Sequence, residues 1–134
     1  MKKLLQTYQD GTCYMESTDY QEITNIIQEN EIECHTILYR GLKLAGDEMP
    51  EVGETFKFKN YFESFSEDID IALEFTLDHF PVIVRLIDSY GLPLYEYTEN
   101  DTQLEWLIMD KDYVISSIEY NEDDEYYIID IEEV

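Results

Sequence analysis

An α+β fold is predicted by three features of this chain. Helix-periodic segments are confined to the beginning, β-branched and alternating segments fill most of the remainder, and one further helical segment is inserted among them. Helices first and strands afterwards imply a largely antiparallel sheet or pair of sheets. The length predicts one domain, residues 1–134, and 44% hydrophobic residues with 14% aromatics supply a core. No repeat, low-complexity linker or domain boundary interrupts it.

Lys2 to Gln9 predicts a short helix with Leu4, Leu5 and Tyr8 on one side. A second helix begins near Thr18, where Thr18 and Gln21 have capping-box spacing, and Tyr20, Ile23, Ile26 and Ile27 share a face. His35 to Arg40 reads as a strand closed by Gly41, and Thr55 to Phe62 as the clearest strand, with Phe56, Phe58 and Phe62 on one side. Ser66 has the character of an N-cap, since Glu67, Asp68 and Asp70 follow where a helix dipole favours acids. Ile69, Ala72 and Thr76 form the stripe of that helix, with Leu73 beside it, and the helix ends before Pro81. Val82 to Ile87 predicts a buried strand in which Arg85 is structural. Asp88 to Thr102 reads as a polar loop, and strands follow at Gln103 to Met109, Tyr113 to Glu119 and Glu125 to Ile131.

The net charge is −24, from 32 acids against 8 Lys and Arg. Such a charge favours solubility, repels nucleic acid and anionic membrane faces, and steers the chain toward basic partners. The acids are densest between Glu119 and Val134, yet Tyr126, Tyr127, Ile128, Ile129 and Ile131 alternate with them, so a strand with a solvated side is expected there. Cys13 and Cys34 have no metal or redox spacing, and no metal site is expected. Met1-Lys2-Lys3-Leu4-Leu5 starts like a signal peptide, but Gln6, Gln9 and Asp10 interrupt it. No segment approaches the ~20 apolar residues of a membrane span. A soluble, cytoplasmic protein is the expectation.

Three clusters carry chemical potential. Gln103 and Glu105, two apart on a strand, would face one cleft while Leu104 and Trp106 face the other side and can be buried there; on this segment alone an edge strand with a solvated face is the favoured reading. Ser64 has the parity of Phe56, Phe58 and Phe62, so its hydroxyl points inward and needs a partner such as Glu105. Arg40 offers a permanent planar cation suited to phosphate, and Gly41 beside it would let a ligand approach the backbone. A surface ion pair is the alternative for Arg40, and a plain cap the alternative for Ser66.

Taken together, Tyr39-Arg40-Gly41, then Tyr61-Phe62-Glu63-Ser64-Phe65-Ser66 with Ala72 and Phe75, then Gln103-Leu104-Glu105-Trp106-Leu107-Ile108 resemble the Arg–Ser–Glu pattern of mono-ADP-ribosyltransferases. That family includes the clostridial Rho-modifying exoenzymes and related bacterial and phage enzymes, and the likeness spans roughly Thr36 to Ile131. It implies a split β-sandwich with N-terminal helices and NAD+ as substrate. It further implies that Arg40 contacts the phosphates and nicotinamide ribose. Groups beside Gly41 would hold the carboxamide, with Ser66 in the same motif, and Ser64 would orient Glu105. Glu105 would stabilise the oxocarbenium-like state, and Gln103 would position the acceptor. Glutamine at that place accompanies asparagine-modifying and some guanine-modifying members.

The charge favours a protein acceptor with a basic surface, recognised through Tyr95 and Tyr97 of the 88–102 loop, and would suit a phage or bacterial effector acting on host machinery. Two features depart from the pattern: Phe65 stands where many relatives carry threonine, and little room for a covering loop remains between Phe75 and Pro81, where packing roles are favoured for His79 and Phe80. An NAD+ glycohydrolase, or a non-catalytic acidic protein mimicking nucleic acid, are the alternative readings.

Overall fold

The computed structural model describes residues 2–11, 15–44, 49–76, 80–99 and 104–134. Helix α1, Lys2–Asp10, buries Leu5 and leaves Leu4 and Tyr8 partly buried beside it. Helix α2, Ser17–Asn30, buries Ile23, Ile26 and Ile27, with Tyr20 at the margin against the ring of Phe62. Its capping box pairs Glu16 with Asp19, whose carboxylate accepts from the Glu16 N–H at 3.0 Å, rather than Thr18 with Gln21. Carboxylates fill the role and also suit the positive end of the helix dipole.

Nine strands follow among the described residues: β1 Ile32–Cys34, β2 Leu38–Leu44, β3 Thr55–Phe56, β4 Phe62–Ser66, β5 Phe80–Leu86, β6 Ser89–Pro93, β7 Glu105–Met109, β8 Tyr113–Asn121 and β9 Tyr126–Glu133. A short helix, α3, Ile69–Glu74, joins β4 to β5. The strand order is β1-β6-β7-β4-β2-β5-β9-β8-β3, and among the described strands only the β5–β9 pairing is parallel. The join between β4 and β2 decides the shape, because it consists of the single pair Tyr39–Ser66. There the sheet parts into two halves, β1-β6-β7-β4 and β2-β5-β9-β8-β3. This is the expected α+β split sandwich with helices at the front.

Strand alternation distributes the core. Phe65, Trp106 and Ile108 from the first half meet Val82, Val84, Ile115, Ile129 and Ile131 from the second, forming the layer between the halves. Phe62, Leu107 and Met109 face the other way and pack on Leu5, Ile23 and Ile27 of the helices. Ala72 of α3 covers Ile83 and Tyr126 on the far side. Arg85 is structural as expected: its Nε and Nη2 donate to Asp130 at 2.6 and 2.8 Å, and Ser117 Oγ donates to the same carboxylate at 2.8 Å.

Several expectations are corrected. The strand expected from Thr55 to Phe62 is broken, because the Phe58 N–H donates to the side chain of Asp110 and the Tyr61 carbonyl accepts from the Asp110 N–H. Phe56 and Phe58 therefore enter the inter-sheet core, Phe58 stacking on Tyr113 at 5.2 Å, while Phe62 faces the helices. Gly41 does not close its strand but lies inside β2. Asp68, not Ser66, caps α3 by accepting from Asp70 N–H, and Ser66 Oγ accepts from Asp68 N–H one step earlier. The expected 88–102 loop is largely structured: β6 pairs with both β1 and β7, and a 3₁₀ turn covers Leu94–Glu96. Apolar Leu92, Pro93 and Leu94 outweigh their polar neighbours there. No described helix is long and apolar enough to cross a membrane.

Candidate functional site

A cleft of about 460 Å³ opens where the two halves part, and Arg40, Gly41, Ser64, Ser66 and Glu105 all line it. Each reaches the cleft from a different constraint. Arg40 projects from β2 just beyond the lone Tyr39–Ser66 pair. Past that pair the β4 backbone lacks a β2 ladder partner, and the Arg40 Nη1 supplies a donor instead, 2.8 Å from the Ser64 carbonyl. Its Nη2 lies 2.8 Å from the Glu63 carboxylate, which also accepts from Asn60 Nδ2 at 3.1 Å. The arginine side chain remains 32% exposed and lines the opening.

Ser64 and Glu105 lie on neighbouring strands, in the ladder Ser64–Leu107, Phe65–Trp106, Ser66–Glu105. Because Ser64 and Glu105 share the parity of Phe62 and Leu107, they rise on the side of the sheet that carries α1. Tyr8 and Gln9 of α1 meet them there. Tyr8 Oη and Ser64 Oγ are 3.0 Å apart, and Gln9 Nε2 donates to Glu105 Oε1 at 3.2 Å. Burial, first, and the Glu105 and Glu63 carboxylates push the Tyr8 hydroxyl above its ordinary pKa, against the lowering effect of Ser64 and Arg40. Ser64 and Glu105 are thus linked through adjacent residues of α1 and not by a direct hydrogen bond.

Glu105 enters its strand abruptly. Leu104 holds the left-handed φ of 46°, which is costly for a branched side chain, and its carbonyl accepts from the Glu67 N–H. The expectation that Leu104 packs inward beside Trp106 is therefore corrected: Leu104 is exposed, whereas Trp106 is buried and donates to Glu67 at 3.1 Å. Gln103 lies outside the described residues, as do Cys13 and His79. Gly41 has a packing reason to be glycine, since a Cβ there would collide with the Ala72 carbonyl of α3 and crowd Phe75 Cβ at 3.2 Å. The close approach it permits is that of α3.

The walls are Phe56, Phe58, Phe65, Ile71, Ala72 and Phe75, an aromatic and aliphatic surface with a few polar groups, which is the make-up of a small-molecule site. Lys57 and Lys59 also line the rim, so three of the eight cations of this acidic chain gather at one cleft. Lys57 is shared with Asp112 at 2.7 Å. Tyr95 and Tyr97 are placed elsewhere: Tyr95 packs edge-on against Trp106 with ring centroids 6.3 Å apart, and Tyr97 packs on the helix-side core. Tyr8, Gln9, Glu63 and the two lysines were not singled out as site residues in the sequence. Tyr8 and Gln9 are 56 and 96 positions from their partners, and nothing local reports such contacts.

The curled, split sheet with leading helices and a cleft at the split is the fold of the mono-ADP-ribosyltransferases. Vis from Vibrio splendidus superimposes with a TM-score of 0.71 at 16% identity, over 99% of this chain and 72% of Vis. The Plx2a toxin from Paenibacillus larvae gives 0.67 at 13%, over 97% of this chain and 83% of Plx2a. HopU1 of Pseudomonas syringae gives 0.67 at 12%, and this chain spans about half of it, 52%. No family model and no curated protein matches the sequence.

Proposed function

We propose that the chain transfers ADP-ribose from NAD+ to a protein acceptor at the cleft where the sheet splits. The observation that carries this reading is the meeting of Arg40, Ser64 and Glu105, from three separated parts of the chain, at one apolar-walled cleft that also gathers Lys57 and Lys59. On a molecule of charge −24, an anionic diphosphate has few places to settle, and the partly exposed Arg40 with Lys57 and Lys59 provides one. The aromatic walls suit a flat nicotinamide ring.

In the step, the bond between the anomeric carbon and the nicotinamide nitrogen breaks, and the ring leaves with the electron pair. Positive charge spreads over the ribose, which the Glu105 carboxylate stabilises electrostatically, as carboxylates do in glycoside hydrolysis. An acceptor nitrogen then bonds to that carbon and releases a proton to solvent. Gln103, by the family resemblance, would position an asparagine-type acceptor amide. A basic surface on the acceptor protein would complement the acidic exterior.

Incubation with labelled NAD+ and a cell lysate tests the reading. Wild type should label a polypeptide and release nicotinamide, and Glu105→Gln should lower release by ~10²–10³. Equal release by the variant would remove Glu105 from its role. Release without a labelled macromolecule would identify water as the acceptor and the protein as a glycohydrolase. Neither label nor release, with capture of a basic partner, would leave an acidic binding protein.

A further inference from the structure

We propose that helix α1 is part of the active centre, with Tyr8 and Gln9 as positioning residues that fix the Ser64 hydroxyl and the Glu105 carboxylate. This rests on the reading of Glu105 given above. The two contacts, at 3.0 and 3.2 Å, come from consecutive residues of one helix, so the serine and the glutamate are held by a common support. The support is itself fixed. Tyr8 packs edge-on against Phe62 with centroids 5.5 Å apart, Leu5 is fully buried, and Gln6 Oε1 accepts from the Glu99 N–H at 2.7 Å. A nine-residue helix is marginal alone and depends on such anchors. A tyrosine hydroxyl is protonated at neutral pH, and burial raises that of Tyr8 further, so it can donate or accept toward Ser64.

The chemistry of Gln9 fits the task. A neutral amide N–H orients the carboxylate without cancelling its charge, and the full negative charge is what a developing ribosyl cation requires. A lysine there could donate equally well but would neutralise the group it holds. The contact engages Oε1 and leaves Oε2 outside that bond.

The test measures kcat and KM for nicotinamide release from NAD+, with thermal midpoints, on the full chain carrying Tyr8→Phe, Gln9→Ala, Gln9→Lys or Asn121→Ala. Tyr8→Phe, Gln9→Ala and Gln9→Lys should each lower kcat roughly tenfold or more, with KM within about twofold, since small misplacements of reacting groups are costly. Asn121→Ala, which loosens the turn between β8 and β9 and lies outside α1 and the cleft lining, should keep the wild-type kcat. If alanine unfolds the helix, the near-isosteric Gln9→Glu replaces it and should lose at least as much. Wild-type kcat in Gln9→Ala, or an equal loss in Asn121→Ala, overturns the proposal. If wild type releases no nicotinamide, the functional reading falls and the bracket is judged by NMR. The Glu105 carboxyl carbon resonance should then move in Gln9→Ala and stay in Asn121→Ala; no movement in Gln9→Ala overturns the bracket too.

Discussion

Arg85 and Asp130 show how single residues set the pH range of this fold. The pair is fork to carboxylate, partly buried, and shared with Ser117, so Arg85→Ala strands a carboxylate between β5 and β9. Urea unfolding should show a loss of about 1–3 kcal/mol. Hydrogen bonding from Arg85 holds the Asp130 pKa below its ordinary value of 3.8. The unfolded chain therefore takes up the proton first on acidification, and this stabilisation, complete above the ordinary range, is lost as the pH falls through the lowered native value. Asp130→Asn should flatten the acid limb of a stability–pH curve. Tyr113 titrates in the opposite sense: burial, first, raises its pKa, so above its ordinary 10.0 the unfolded chain loses its proton earlier and stability falls with rising pH. Tyr113→Phe should flatten that alkaline limb. At this scale the sequence is informative where a residue type is rare. Arg40 is one of two arginines and stands out, whereas Glu63 is one of nineteen glutamates, and both it and Gln9 reveal their roles only through distant partners.

Among the elements, α3 and β2 depend on Gly41. Gly41→Ala drives a methyl into the Ala72 carbonyl and against Phe75, which must push α3 away from the sheet. Overpacking of this kind costs about 1–3 kcal/mol, measurable by urea titration, and it should also weaken binding in the cleft that Ala72 and Phe75 wall. The presence of glycine here was legible, but its reason was not, because α3 lies some thirty positions further on. Long periodic elements such as α1, α2, β5 and β9 were legible from their own residues. The break between β3 and β4 was not, since Lys57 to Tyr61 alternates well and only the bonds to Asp110, on a distant segment, take it out of the ladder. Leu104 likewise reads as strand, while its left-handed turn depends on the Glu67 N–H.

For the whole molecule, charge is the dominant variable. With 32 acids against 8 bases, the folded chain repels itself, and added salt should screen that repulsion. A thermal midpoint that rises between low ionic strength and about 0.5 M sodium chloride is expected, and a flat response would show that the acids are already compensated by local pairing. Against that background, the convergence of Arg40, Lys57 and Lys59 on the split in the sheet is the feature that most needs a ligand to explain it. A crystal structure with a non-hydrolysable NAD+ analogue tests this most directly. The diphosphate should lie on the Arg40 guanidinium and the anomeric carbon beside the Glu105 carboxylate. An analogue seated outside the cleft, or inside it with the ribose turned away from Glu105, would contradict it.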